Sequence, residues 1–362
     1  MRSTKSESLA LIQALSEAKA PSGFEDEAIA VAGNFAGEYA LVMEDHLRNL
    51  YICPRGDEEA DERPVFMLDA HGDEVGMMVH SITPKGTLHF LTLGRWNPDT
   101  LPSSRVMVHT RFDTWIPGII AAKPVHFMTE AEKGKTLSIS DLVIDVGAVS
   151  QEEAMEDFGI RIGEPVVSGV NFEYDEAHDI MIGKGFDCRI GCAAMLETVK
   201  RLADEKLPFA VRGVMSAQEE VGERGVQVAV RRIHPQVAIC FEGCPADDTF
   251  TEDYAVQTAL KKGPMLRFMD VSMIANPRYM RDTIELAEKM GIPCQTSVRA
   301  GGGNNGAFVN LAGEGIPVIV IGIPVRYIHS HYGIASYGDF EAAVELAVAV
   351  VKGMTPEKLQ CF

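Results

Sequence analysis

The feature that most constrains the fold of this chain is the alternation of short apolar runs with amphipathic stretches after residue 167. Apolar runs of strand length occur at 209–216, 237–241 and 316–322. Helical periodicity, with apolar residues three and four apart, occurs at 187–205, 225–233, 276–290 and 339–354. Such alternation is typical of a mostly parallel sheet that helices cover on both faces. We therefore predict an α/β fold with a mixed, mostly parallel sheet sandwiched by helices.

The start of the chain belongs to the same pattern. Leucine and isoleucine recur at helical spacing over 9–15, and 25–40 resembles a second amphipathic helix. The apolar run at 64–70 has the length of a strand and is followed by His71.

A stretch of different character interrupts this pattern between His71 and about residue 166. It consists of short strand-like runs and turns, among them GMMVHSI, GTLHFLTL, RVMVHT and LVIDVGA, and helical periodicity is nearly confined to 151–158. We therefore predict that residues 1–72 and 167–362 form the α/β domain. Residues 73–166 are predicted to be a small inserted β-rich domain.

Charge and composition argue against several kinds of partner and location. A net charge of −19 disfavours binding to a nucleic-acid backbone or to an anionic membrane surface. No uncharged apolar window reaches the length of a membrane span, about 18 residues. The first residues lack the apolar core of a signal peptide, and the seven cysteines are an odd number spread thinly over the chain. We therefore expect a cytoplasmic protein without a disulfide framework.

Imidazole and carboxylate side chains follow the carboxyl ends of several predicted strands. These residues are His71, Glu219, Glu220, Glu242 and His329. Ligands bind at this edge of open α/β sheets, so we expect them to share one crevice. Asp187, which opens a predicted helix after a Gly-Lys-Gly turn, is expected on the same side. Imidazole and carboxylate together suit zinc, cobalt or manganese, and the set resembles a two-metal site around a shared carboxylate.

The adjacent pair Glu219 and Glu220 offers both a ligand and a base, because neighbouring residues cannot easily aim at the same atom. One would bind metal, and the other would take the proton of an activated water. Ordinary roles stay open for each residue. Asp187 could be the N-cap of its helix, and the glutamate pair could be a solvated helix start.

Several local strings, taken in order, resemble those of the TET-type (glutamyl or deblocking) aminopeptidases, metallopeptidase family forty-two. They are PSGFEDEA, LDAHGDEVGMMV, LVIDVGA with a later EEA, GKGFDCRIGC, SAQEEVGERG and PVRYIHS. The likeness covers almost the whole chain. It implies a zinc-exopeptidase-like α/β domain, interrupted by a β-rich domain that builds a dimer interface. It also implies homo-oligomers, with dimers assembling into hollow dodecamers.

The resemblance also implies a role for each matching residue. His71 would bind the first metal ion, Asp187 would bridge both ions, Glu220 and His329 would bind the second, Glu219 would be the general base, and Asp73 would hold the His71 imidazole in one tautomer. The resemblance thus makes Glu219 and Asp73 the expected catalytic residues.

This sequence departs from the family pattern at three places. Glu242 stands where the family usually has the aspartate that is its fifth ligand, with Asp247 and Asp248 as less favoured substitutes. Asn304 and Asn305 replace a Thr-Asp pair, which removes a carboxylate near the pocket. His331 stands where proline is common, as a neighbour that could compete with His329.

Two other features allow more than one interpretation. Cys188 with Cys192, and Cys240 with Cys244, flank proposed ligands. We expect small buried thiols, with a four-thiolate zinc site as the alternative. Arg326 could recognise a substrate or form a structural ion pair.

The sequence therefore predicts a metal-dependent aminopeptidase that removes N-terminal residues from short peptides. A metal-bridged water would attack the peptide carbonyl, with Glu219 as base. The expected cofactors are two divalent metal ions per chain, zinc first and cobalt or manganese as alternatives. A dinuclear carboxypeptidase or N-acyl deacylase on the same scaffold is the nearest rival. A non-catalytic, metal-stabilised assembly protein is the rival from another class.

Overall fold

The structure is a computed structural model that describes residues 2–57 and 63–362. Its helices are α1 (Lys5–Glu17), α2 (Asp26–Ala36), α3 (Gln151–Glu156), α4 (Phe186–Leu202), α5 (Arg224–Ile233), α6 (Pro277–Met290), α7 (Gly306–Asn310), α8 (Tyr337–Gly353) and α9 (Pro356–Gln360). Its strands are β1 (Ala40–Glu44), β2 (Leu50–Pro54), β3 (Val65–His71), β4 (Gly76–Ile82), β5 (Leu88–Leu93), β6 (Arg105–Thr110), β7 (Thr114–Ala121), β8 (Val143–Asp145), β9 (Pro165–Ser168), β10 (Glu173–Asp175), β11 (Ile180–Gly183), β12 (Ala210–Ser216), β13 (Val237–Pro245), β14 (Met265–Met269), β15 (Gln295–Val298), β16 (Val318–Val325) and β17 (Gly333–Ala335).

An eight-stranded sheet forms the centre of the α/β part, in the order β1-β2-β12-β3-β13-β16-β14-β15. Its central strands β12, β3, β13 and β16 are parallel, whereas β1, β2 and the β14–β16 pair add antiparallel contacts. Every residue of β16 is buried, and so is all of β3 after its first residue. Near-continuous apolar runs of this kind are typical of parallel strands covered on both faces. The predicted fold class is confirmed.

Helices flank this sheet. α4 packs across β3, β12, β13 and β16, and both α1 and α8 pack against α4. α5 and α7 form a second group that contacts the sheet and each other. The helix expected over 25–40 ends earlier, at Ala36, and the β1–β2 hairpin follows it. A three-stranded sheet of β10, β11 and β17 lies outside the main sheet.

Strands β4 to β9 close into a barrel in the order β4-β5-β8-β7-β6-β9. The barrel has a hydrophobic core of its own, which includes Val79, Leu88, Val106 and Ile144. It is inserted between β3 and β10, so its first strand begins five residues after His71. The segment after β5 returns to the α/β part, where Gly94 lies beside Glu220. In the parts of the chain that the structure describes, no helix combines the length and hydrophobicity that a membrane crossing requires.

A buried ion cluster joins the start of α4 to the segment after β3. Glu74 accepts a hydrogen bond from Lys184 Nζ at 2.6 Å and lies 3.6 Å from Arg189 Nη2. Burial lowers the pKa of Lys184, and the Glu74 charge opposes that shift. Lys184 also donates to the carbonyl of Ala18, and Arg189 to that of Leu15, so the cluster fixes the end of α1 as well.

We expect Glu74→Ala to lower the free energy of unfolding by about 3–5 kcal/mol, because it leaves two buried cations without their anion. Urea denaturation followed by circular dichroism measures the change. Glu38→Ala, at an exposed position, is the control and should change stability by less than about 0.5 kcal/mol. A loss below about 1 kcal/mol for Glu74→Ala would show that the cluster is not a structural anchor.

Candidate metal centre

The carboxyl ends of the parallel strands bring the predicted site residues to one edge of the sheet. His71 ends β3 and pairs in register with Ser216, which ends β12. Glu219 and Glu220 follow β12 after a short turn, and His329 follows β16. In open α/β sheets this edge is where ligands bind.

Glu242 reaches this edge from within a strand. The sequence pattern predicted that the strand ends at Phe241, but β13 continues beyond it and stays paired with β16. Cys240 of β13 pairs with Asp69 of β3. Glu242, two residues further along, therefore lies level with His71.

Asp187 lies between the two histidines. Its Oδ1 is 3.2 Å from Nε2 of His71, and its Oδ2 is 3.2 Å from Nε2 of His329. Although Asp187 falls in the first turn of α4, its backbone dihedral angles are not helical, and Gly185 occupies the N-cap position. Each oxygen of Asp187 faces a different imidazole, so its carboxylate is directed at the two histidines.

The potential ligands form three groups, two of which share Asp187. The first consists of His71, Asp187, Cys188 and Glu242, the second of Asp187, Glu220 and His329, and within each group the donor atoms lie within 4.8 Å of one another. Nε2 of His71 is 3.8 Å from Oε2 of Glu242, and Nε2 of His329 is 3.5 Å from Oε2 of Glu220. Two ligand bonds of about 2.0–2.1 Å in a tetrahedral site place their donor atoms about 3.3 Å apart. The spacing in both groups is therefore close to that of a zinc site.

The carboxylates of this centre have the electrostatics of a site for cations. Burial raises the pKa of Glu219 and Glu220 well above the usual value, and neighbouring carboxylates add to the rise against the opposing charge of His71. Burial likewise raises the pKa of Glu242 to about 8. Oε1 of Glu220 and Oε1 of Glu242 are buried and have no hydrogen-bond partner among the described residues. Divalent cations would compensate this crowding of acceptors, so the residues present fit a metal centre.

The second nitrogen of each imidazole is held by another part of the chain. His329 Nδ1 donates to the carbonyl of Arg95, in the segment after β5, at 2.9 Å. His71 Nδ1 lies 3.2 Å from the carbonyl oxygen of Asp73 and 3.4 Å from its Oδ1. These contacts fix the tautomer in which Nε2 faces Asp187 and can act as a ligand.

Asp73 is a fully buried positioning residue with contacts to both halves of the centre. It faces His71, and its Oδ1 and Oδ2 accept hydrogen bonds from the backbone N–H groups of Glu219 and Glu220, at 2.9 and 3.1 Å. Ser22 donates to Oδ2 at 2.6 Å. Burial would raise the pKa of Asp73, but the bonds from His71, Ser22 and Glu219 hold it below the usual value. Asp73 therefore stays ionised and fixes the glutamate pair relative to His71.

Glu219 belongs to the third group, with His71 and Glu220, and to neither of the groups that share Asp187. Its Oε2 lies 3.8 Å from Nε2 of His71, and its side chain lines the cavity in front of the centre. Glu220, the next residue, is in the second ligand group. Of the two glutamates, only Glu220 belongs to a group that shares Asp187, so Glu219 is the one that could serve as a free base.

A cavity of about 670 Å³ opens onto the centre. Asp187, Glu219, Glu220, Glu242 and His329 lie on its wall together with Arg95, Arg267, Arg299 and the glycines at 301–303. Arg267 is buried and pairs with Asp270 at 3.0 Å. The volume is that of a small-molecule or short-peptide site, with carboxylates and guanidinium groups in one wall.

Three other residues that the sequence offered as alternatives for the site, Arg326, Asp247 and Asp248, have structural partners. Arg326 forms a two-bond ion pair with Asp248, at 2.9 and 2.7 Å, so the structural interpretation of this arginine applies. Asp247 accepts hydrogen bonds from the backbone N–H groups of Gln257 and Thr258. Neither aspartate belongs to the two ligand groups.

The residues that depart from the family pattern near the pocket face inward. Asn305 donates to Asp69 and to Ser216, at 2.7 Å each, and Asn304 donates to Asp270. His331 lies outside both ligand groups and packs on Trp96, with the ring centroids 5.2 Å apart. Burial lowers its pKa to about 4.

The four cysteines that flank the proposed ligands are buried, as expected, but one of them is closer to the centre than the sequence indicated. Cys192 Sγ donates to the carbonyl of His71 at 2.9 Å, whereas Cys188 lies in the first ligand group. Among the described residues, no cluster of four thiols is present. The one signal for Cys188 in the sequence is its position directly after Asp187.

Comparison with known proteins gives one consistent result over nearly the whole chain. A family model described as M42 glutamyl aminopeptidase matches residues 49–346. The glutamyl aminopeptidase of Lactococcus lactis subsp. cremoris is 31% identical over 355 residues, which cover 96% of this chain and 97% of that protein.

Solved structures resemble this one equally broadly. A TET aminopeptidase from the marine sediment archaeon Thaumarchaeota archaeon SCGC AB-539-E09 has a TM-score of 0.93 and 36% identity, covering 98% of this chain and 99% of that one. The TET1 peptidase of Pyrococcus horikoshii, described as assembling into a tetrahedron or a large octahedral shell, has a TM-score of 0.85 and 26% identity. That match covers 96% of this chain and 100% of the other.

Proposed function

Because the chain belongs to the M42 glutamyl aminopeptidase family and is a peptide hydrolase, we propose that it removes N-terminal residues from short peptides with a dinuclear metal centre and Glu219 as general base. The family resemblance expected from the sequence is confirmed. The observation that carries the proposal is the position of Asp187, whose two oxygens face the histidines of two separate ligand groups.

Two divalent ions are the proposed cofactors. His71, Asp187 and Glu242 would hold the first, and Asp187, Glu220 and His329 the second. When bound, such ions lower the pKa of water and polarise a peptide carbonyl. Zinc suits these nitrogen and oxygen donors at the observed spacing, and cobalt or manganese would fit the same residues.

The remaining residues of the centre transfer protons and keep the side chains of the site in position. Glu219 accepts a proton from the attacking water and delivers it to the departing amine. Its side chain is nearly buried and lies 3.8 Å from His71, next to the proposed ligands. Asp73 keeps Glu219 at a fixed distance from His71 through the backbone N–H of Glu219.

The carboxylates on the wall of the cavity support recognition of a peptide amino terminus. Glu219 and Glu242 lie at its inner end with little exposure to solvent. An ammonium group is attracted by carboxylates in such a poorly solvated cleft more strongly than in water. We propose that the free amino terminus binds beside Glu242, so that the first peptide carbonyl lies next to Glu219.

We expect a free amino terminus to be required for hydrolysis. One peptide sequence in three forms, unmodified, N-acetylated and C-amidated, is incubated with enzyme loaded with zinc, cobalt or manganese, and the products are read by mass spectrometry. The account predicts loss of the first residue from the unmodified and C-amidated forms, and at least a 100-fold lower rate for the acetylated form.

Other outcomes would identify the rivals. Cleavage that requires a free carboxyl end would indicate a carboxypeptidase, and release of the acetyl group would indicate a deacylase. No turnover with any metal would favour a non-catalytic assembly protein.

We also propose that the barrel of β4 to β9 is a dimerisation domain and that dimers assemble further. The TET1 peptidase of Pyrococcus horikoshii is described as assembling into a tetrahedron or a large octahedral shell. Large apolar side chains on this part of the chain are exposed, among them Phe112, Ile119, Val125 and Phe127, the last to 73%. We propose that these side chains lie in the interface between two copies of the chain, because contiguous exposed apolar patches mark surfaces that another protein covers. We propose the cytoplasm as its location, in keeping with buried thiols at Cys188, Cys192, Cys240 and Cys244 that form no disulfide.

A further inference from the structure

Cys188 is the least expected member of the first ligand group. Its Sγ lies within 4.8 Å of donor atoms of His71, Asp187 and Glu242, and the residue has no exposed surface. A sulfur and three N or O donors form a ligand set that suits zinc, which binds thiolate sulfur at about 2.3 Å and can take water as a fifth ligand.

Local backbone structure places the thiol there. Cys188, like Asp187, has non-helical dihedral angles in the first turn of α4. A side chain at Gly191 would place its Cβ 2.3 Å from Cys188 Sγ, so only glycine leaves room for the sulfur. Sγ donates to the carbonyl of Phe241, the residue before Glu242, at 3.1 Å.

A second observation points to a cation at the same place. Oε1 of Glu242 is buried and has no hydrogen-bond partner among the described residues, although the Glu242 side chain is only 7% exposed. An unpartnered carboxylate oxygen and a buried thiol beside one imidazole are both stabilised by one shared cation.

We propose that Cys188 Sγ is a fourth protein ligand of the first metal ion. The proposal rests on the dinuclear centre of the proposed function. As the metal–sulfur bond forms, the S–H bond breaks, the hydrogen bond to Phe241 is lost, and the proton is released to solvent. The first site then carries a soft thiolate, whereas the second has only nitrogen and oxygen donors. The first site therefore favours zinc or cadmium over manganese, and the second discriminates less.

Cys192 is a matched control, because it lies one turn further along α4, is equally buried and is outside both groups. The protein is stripped of metal, loaded with cobalt(II), and examined by absorption spectroscopy and metal analysis. A thiolate bound to cobalt(II) gives a charge-transfer band in the near ultraviolet that nitrogen and oxygen ligands do not give. We expect this band in the wild type and in Cys192→Ser, and its complete loss in Cys188→Ser and Cys188→Ala.

The wild-type spectrum alone can overturn the proposal, so the test does not depend on whether a variant folds. Two bound cobalt ions without the band would remove Cys188 from the centre and leave the dinuclear site intact. A band that persists in Cys188→Ser and disappears in Cys192→Ser would assign the ligand to the other cysteine. Less than one bound ion per chain would contradict the proposed function itself.

Discussion

Glu219→Gln is expected to lower kcat by about 10²–10⁴-fold while the protein still binds two metal ions. Glutamine keeps the size of the side chain but cannot take a proton from water. The metal content should persist because the two groups that share Asp187 each supply at least three ligands without Glu219, although Glu219 also lies near His71 and Glu220. The hydrogen bond from the Glu219 backbone N–H to Asp73 is also kept, so the chain path through the centre should not change.

Initial rates on a short unmodified peptide and metal analysis of the same samples test this expectation. Glu223→Gln is the comparison, because Glu223 lines the same cavity but lies outside the ligand groups. We expect Glu223→Gln to lower the activity by less than about tenfold, because altered substrate binding can cause a loss of this size without a change of mechanism. Unchanged turnover in Glu219→Gln would remove Glu219 from the mechanism.

Asp187→Ala is expected to lose both metal ions together and with them all measurable peptide hydrolysis. Each oxygen of Asp187 faces a histidine of a different group, so one substitution removes a ligand from both sites. His329→Ala removes a ligand from the second group alone and should retain the first ion. Burial would raise the pKa of Asp187, but hydrogen bonds from His329 and His71 hold it below the usual value, so the carboxylate is ready to bind cations.

Metal analysis after gel filtration separates these variants, with circular dichroism as the check on folding. The account predicts two equivalents for the wild type, about one for His329→Ala and close to none for Asp187→Ala. Retention of two full equivalents by Asp187→Ala would contradict the bridging role.

Most of the fold could be predicted from the sequence because the strong periodic signals lie in the central strands and helices. The run expected at 64–70 forms β3 at Val65–His71, and the helix expected at 276–290 forms α6 at Pro277–Met290. The weak signals are at the sheet edges. β1 follows α2 after only three residues, and β15 is four residues long, so neither gives a clear period.

The candidate ligands could be predicted from the sequence because parallel strands end at a common edge. The contacts that hold these ligands in place could not be predicted, because they join distant parts of the chain. Asp73 accepts a hydrogen bond from the backbone N–H of Glu219, and the carbonyl of Arg95, in the segment after β5, accepts one from His329. Cys188 was assigned to the core since cysteine is usually a small buried apolar residue, and only the non-helical turn brings its sulfur to the first group.

The central claim is that Asp187 bridges two cations held by residues from distant parts of the chain. Anomalous X-ray diffraction from crystals of the zinc-loaded protein, recorded at the zinc edge, tests it most directly. The account predicts two peaks per chain about 3.5–4 Å apart, one on each side of the Asp187 carboxylate. A single peak, or two peaks that do not both contact Asp187, would contradict it.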